Sequence, residues 1–208
     1  MTSRTVSDPG GARGLSSAIP TAPEDREVFR LAQLTLLMEV AQAQRIPVHT
    51  VDRLGLYDFF SANPFMVVSG EEGRDAEDRL ALRLAGFSNR QLSYASTGQR
   101  FASRRRRLQH DLSLLLAYGL VAIGQRGYVL TAAGRTVAES LACVYADAYR
   151  EAARVVLRRI GRLSDRRLTQ QAADWLGRSW LLIDLFDDIT ETTPSTDHAN
   201  RSPRRRHV

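Results

Sequence analysis

Apolar and polar positions recur at helical spacing along most of the chain. Over residues 28–43, Phe29, Leu31, Leu34, Leu37, Met38 and Val40 repeat at intervals of three and four, which predicts a well-buried helix. Glu24 and Asp25 stand just ahead of it, where carboxylates suit the positive end of a helix dipole. Ile46 and Pro47 end it. Thr50 has the side chain of an N-cap, and a second helix is predicted over 51–62, stopped by Asn63 and Pro64. A short apolar run follows at 65–68, then a loop at 69–73. A third helix, 75–86, carries Leu80, Leu82 and Leu84 among many charges. Residues 87–99 are polar and lack a period. A fourth helix is predicted over 101–118, with Phe101, Leu108, Leu112 and Leu115 on one face and Gly119 as its C-terminal glycine.

After Gly119 the pattern changes. Residues 120–123 read as a strand, 124–127 as a turn with two glycines, and 128–130 as a second strand. Thr131 then caps a helix that starts near Ala132 and runs through Leu141. Helix, glycine, hairpin and capped helix in that order is the layout of a winged helix. Helix 101–118 takes the place of the recognition helix and the hairpin that of the wing. Beyond it, 136–159 reads as a long helix, with Val137, Leu141, Val144, Tyr145, Ala148 and Ala152 on its inner side. Gly161 interrupts, and Ser164 caps a last helix over 165–188 that carries Trp175 and Leu176 on its apolar side. The fold class expected is mainly α: a winged helix-turn-helix core with a small β-hairpin wing and a C-terminal helical extension. The expected division is a disordered arm at 1–22, the winged-helix core at 23–140, a helical hairpin at 141–189 and a disordered basic tail at 190–208.

Composition narrows the class. A chain of 208 residues with 43% apolar and 25% charged residues has room for one core plus tails. No apolar run nears the roughly 20 residues a membrane helix needs, so no membrane association is expected. The single cysteine, Cys143, excludes an internal disulfide framework and a multi-cysteine metal site. Together these predict a cytoplasmic protein. Net charge is +6, yet all 29 cations are arginines and lysine is absent. So uniform a bias reads as the imprint of a GC-rich genome and weakens any one arginine as a functional sign. The arm holds +1 and the tail +2, which leaves the middle only mildly basic. Global charge therefore does not announce a nucleic-acid binder, and clustering becomes the question.

No catalytic signature appears. His49, His110, His198 and His207 are scattered and lack metal-ligand spacing. Cys143, between Leu141 and Val144, is expected to be a buried, inert thiol. No nucleophile elbow is present, and the glycines at 124–127 lack the continuation of a phosphate loop. Asp184, Asp187 and Asp188 crowd the end of the last predicted helix, as a solvated end or as an acidic patch for a basic partner. Neither an enzyme nor a cofactor is expected. Asp58 stands out because it lies on the face of Val51 and Leu54 inside an apolar helix. A buried unpaired carboxylate costs several kcal/mol, on the order of an unsatisfied charge, so Asp58 must have an arginine or helix-terminal amide as partner.

The main candidate is the arginine cluster. Arg100, Arg104, Arg105, Arg106 and Arg107 open the recognition-type helix, and the N-terminal part of such a helix meets the DNA major groove. Arg104 and Arg105 flank the apolar face at four-residue spacing from Leu108 and Phe101, a position suited to acids of neighbouring helices. Arg100, Arg106, Arg107 and His110 point outward better, and Arg126 at the wing tip would reach a minor groove or a phosphate. The contact set for nucleic acid or a partner is therefore Arg100, Arg104, Arg106, Arg107, His110 and Arg126, with Asp58, Trp175 and Trp180 as structural or interface residues. The opposing reading pairs the cluster with Glu71, Glu72, Asp75, Glu77 and Asp78 of the same or another subunit.

Two resemblances follow from these residues. Residues 112–121 (LSLLLAYGLV) and 127–134 (GYVLTAAG) resemble winged-helix regulators over about 40 positions, a match specific for fold and not for task. Over roughly 24–160, the apolar first helix, the segment 56–65 (LYDFFSANPF), Ser69 and Gly70, the arginine-rich helix ending in Gly119 and the wing together resemble a known family. It is the middle-component proteins of three-component bacterial conflict systems built around an ABC-type ATPase. Glu71 stands where the acidic residue after Ser-Gly is expected. The resemblance implies a non-catalytic adaptor or sensor between an ATPase and an effector, with partner proteins, duplex DNA and a second copy of the chain as candidate partners. The alternative is a DNA-binding winged-helix transcriptional regulator.

Overall fold

The computed structural model describes residues 22–70, 73–88 and 97–177. A 3-10 turn, Pro23–Asp25, leads into α1 (Glu27–Ala43). Then come α2 (Val51–Ala62), α3 (Gly73–Leu84), α4 (Thr97–Ala117), the strands β1 (Val121–Gly124) and β2 (Gly127–Leu130), α5 (Ala132–Ser140), α6 (Val144–Ile160) and α7 (Asp165–Leu176). The described residues are mainly helical with one small antiparallel sheet, and among them no helix is long and apolar enough to cross a membrane.

The local signals act as the sequence suggests. The hydroxyl oxygens of Thr50, Thr131 and Ser164 accept from the amides of Arg53, Gly134 and Arg167 and so cap α2, α5 and α7. Gly119 ends α4 at φ 68°, with Leu120 N–H donating to Leu115 O at 2.9 Å, the six-to-one bond of a Schellman cap. The hairpin pairs Val121 with Leu130 and Ile123 with Tyr128. Its second strand is also held from outside: Tyr128 N–H donates to Val48 O at 2.9 Å.

α6 is the centre of the molecule. α1 and α2 both pack along it, α3 closes its outer side, and Tyr149, Val156 and Leu157 are buried against Leu34, Leu37, Tyr57 and Phe60. Small residues at Ala146, Ala152 and Ala153 let its neighbours approach closely. Phe59 packs edge-on against Phe101 at 5.3 Å, and Phe60 against Trp175 at 5.1 Å, which brings α4 and α7 onto the same core. A boundary at 140/141 therefore does not separate two cores: the larger apolar cluster joins α1, α2, α4 and the hairpin to α6 and α7, and a smaller one joins Leu82 of α3 to Ala152 and Val155 of α6.

The long helix expected over 136–159 is two helices. Arg150 donates to the carbonyls of Ala138 and Leu141, at 2.7 and 3.2 Å, and so satisfies the end of α5 from the side. The backbone at Cys143 is extended and forms the N-cap position of α6. Cys143 is consequently exposed, not buried as its apolar neighbours suggested. The last helix stops at Leu176, before Gly177 at φ 78°, and the continuation expected to 188, with Trp180 and the aspartates, lies outside the described residues.

Candidate functional site

Every face of α4 bears on the candidate site. Its apolar stripe, Phe101, Leu108, Leu112 and Leu115, is buried against the core. Two ionic positions lie within that stripe. Arg104 grips Asp58 of α2 through both carboxylate oxygens, with Nη2 to Oδ1 at 2.8 Å, and also donates to Gln33 Oε1 at 2.7 Å. Tyr149 of α6 donates to the same Asp58 Oδ1 at 3.2 Å, and Gln33 donates to the Tyr145 hydroxyl. The Asp58 side chain is only 5% exposed and that of Arg104 18%. Burial opposes the guanidinium charge of Arg104, but the Asp58 carboxylate more than offsets this and holds its pKa above the usual value. Burial raises the Tyr149 hydroxyl well above its ordinary range, and the neighbouring Asp58 charge adds to that shift.

Asp58 thus has the arginine partner its position demands. Arg104 corrects one expectation: it is a buried clasp joining α1, α2, α4 and α6, not an outward contact for nucleic acid. Four-residue spacing from Leu108 puts it on the inner edge of the helix, where a carboxylate already waits. Two turns on, Asp111 in α4 receives Arg30 of α1 in a two-pronged pair at 2.7 and 2.8 Å. The hydrogen bond to Asp111 raises the Arg30 pKa, against an opposing effect of burial. Arg30 also donates to Asp25 O at 3.0 Å and ties down the entry turn. Sequence reasoning overlooked this pair, although Asp111 interrupts the Leu108, Leu112 and Leu115 stripe as Asp58 interrupts its own.

Three further cations of α4 face acids of the entry turn and the first two helices. Arg107 reaches Asp25 at 2.9 Å, Arg105 reaches Asp52 at 2.8 Å, and His110 lies 3.3 Å from Glu27. Arg100 donates to Asn63 Oδ1 at 2.8 Å. Asp75 and Asp78, proposed as partners of the cluster, instead hold Arg158 and Arg159 of α6, with Arg159 Nε to Asp78 Oδ2 at 2.8 Å. They fasten α3 to α6. Arg30, Arg100, Arg104, Arg106 and Arg107 line a cleft of about 700 Å³ between the entry turn and α4, with Phe29, Phe59 and Tyr145 as its apolar side.

Arg126 stands apart in the exposed wing turn, and Trp175 is a half-buried core residue against Phe60. Arg53 was missed as a site of consequence: it donates to Tyr57 at 2.6 Å, to Asp165 and to Leu163 O, and it clasps α2 to the turn before α7. Its signal was a cation two positions before Gly55 in an apolar helix. Among the described residues no group of three His, Cys, Asp or Glu side chains is placed to hold a metal ion. Comparison with known proteins finds no matching family model, no matching curated protein and no matching solved structure.

Proposed function

We propose that the chain is a non-catalytic winged-helix adaptor that links an ABC-type ATPase to an effector in a bacterial conflict system. The winged-helix reading is supported by element order: α1, the bridged residue Val48, α2, α4 and then the hairpin, with α3 inserted. The observation that carries the adaptor over the repressor is the pairing of the arginine helix. Asp25, Asp52 and Asp58 of the same chain neutralise Arg107, Arg105 and Arg104. A helix that reads DNA presents its cations to phosphate and base edges, whereas these are spent on joining the chain to itself.

The second reading, a DNA-binding regulator, draws on the wing. Arg126 is exposed and its guanidinium takes no partner among the described residues, and Arg106 is exposed on α4. Titration of a labelled duplex at low and high salt, with the wild type and an Arg106→Ala/Arg107→Ala variant, separates the two. The adaptor reading expects at most the weak non-specific range, Kd about 10⁻⁴ to 10⁻⁶ M, with little change in the variant. Sequence-specific binding near 10⁻⁸ M that collapses in the variant overturns it. Sedimentation of the chain mixed with its partner ATPase should then give a stable complex that DNA does not displace.

A further inference from the structure

A second cleft, of about 380 Å³, lies between the end of α1 and the wing. Its floor is apolar, built from Met38, Ile46, Pro47, Val48 and Tyr128, with Val129 42% exposed at its edge. Two arginines line it, Arg45 and Arg126, and among the described residues no carboxylate does. Both are exposed, and neither guanidinium forms a hydrogen bond or ion pair among the described residues. The cleft is preformed: Gly127, at φ 107°, lets the wing lie directly on the Val48 carbonyl, where an added Cβ would sit 2.1 Å from that oxygen. Arg45 itself occupies the left-handed residue of the α1 C-cap at φ 57°, a place where glycine is the undemanding choice.

We propose that this cleft docks an acidic amphipathic peptide segment of a partner protein. One or two large apolar side chains of the peptide fill the floor, and flanking Asp or Glu residues pair with Arg45 and Arg126. Charge chooses the occupant: the floor draws apolar groups of any origin, but two guanidiniums with no carboxylate among the described residues lining the cleft select a negative flank. A floor fixed before binding adds no ordering cost of its own. The proposal deepens the adaptor reading by giving the chemistry of a partner, and it uses residues distinct from the α4 cluster.

The test is selection of a display library of random short peptides on the immobilised full chain, followed by anisotropy titration of the selected peptides. Selected peptides should share a large apolar residue flanked by acids. Their affinity should fall about tenfold in an Arg45→Ala/Arg126→Ala variant and fall with added salt. Arg45→Gly guards against misfolding as an explanation, because it should raise Tm while still weakening the peptide. Peptides without acidic bias, affinity unchanged in Arg45→Gly, or no peptide that distinguishes the wild type from the double variant would each overturn the proposal. Tight DNA binding through Arg106 and Arg107 alongside intact peptide binding would sink the adaptor reading and leave the cleft assignment standing.

Discussion

Asp58 receives two donors from different helices, Arg104 of α4 and Tyr149 of α6, in a setting almost without solvent. Removing one partner strands the other. Asp58→Ala should cost about 3–5 kcal/mol in urea unfolding, as loss of one member of a buried ion pair does. The double replacement Asp58→Leu/Arg104→Met should cost clearly less than the sum of the single changes, since it leaves no orphaned charge. The same cluster sets an alkaline limit. The Tyr149 hydroxyl has a folded-state pKa raised above its unfolded value near 10, first by burial and then by Asp58. Its contribution is therefore whole below pH about 10 and is lost as pH climbs through the folded-state value. Tyr57 and Tyr145 shift in the same direction, chiefly through burial. Unfolding free energy should be flat at neutral pH and fall above about 10, and Tyr149→Phe should make that fall shallower.

Among the elements, the wing is the most tightly specified. Gly127 combines positive φ with backbone contact to Val48. Gly127→Ala should destabilise the fold by about 2 kcal/mol or more, read as a lower denaturation midpoint with the slope unchanged. Elements of this kind were legible in the sequence because their signals are local. The caps at Thr50, Thr131 and Ser164, the glycine after α4 and the hairpin need only neighbouring residues to act. The break between α5 and α6 was illegible for the opposite reason. It depends on Arg150 reaching back to the Ala138 and Leu141 carbonyls, and nothing in the period of apolar residues marks it. At the candidate site, Asp58 was legible as a residue in need of a partner, but not which arginine of five would supply it. That choice is made by the crossing of α2 and α4, which is tertiary.

The whole molecule is organised around α6, although it follows the hairpin in sequence. Its Tyr149, Val156 and Leu157 fill the space between α1 and α2. A fragment ending at residue 140 should therefore fail to unfold cooperatively, with helical circular dichroism well below the share its length predicts. A fragment with a sharp two-state transition would show that the first five helices hold a core of their own. Long-range closure of this kind should also slow folding, since residues far apart in the chain must meet before the apolar face of α6 is covered.

The Asp58–Arg104 clasp bears on descent as well as on stability. A single change at either end removes about 3–5 kcal/mol, against a total that is commonly only 5–15 kcal/mol. Lineages that pass through the half-changed state are therefore close to unfolding, and few should survive it. Across relatives of this chain, positions 58 and 104 should be inherited as a unit, either kept as acid and arginine or replaced together by two apolar residues. Position 149 should follow them, keeping its hydroxyl where the pair is kept and losing it where the pair is lost.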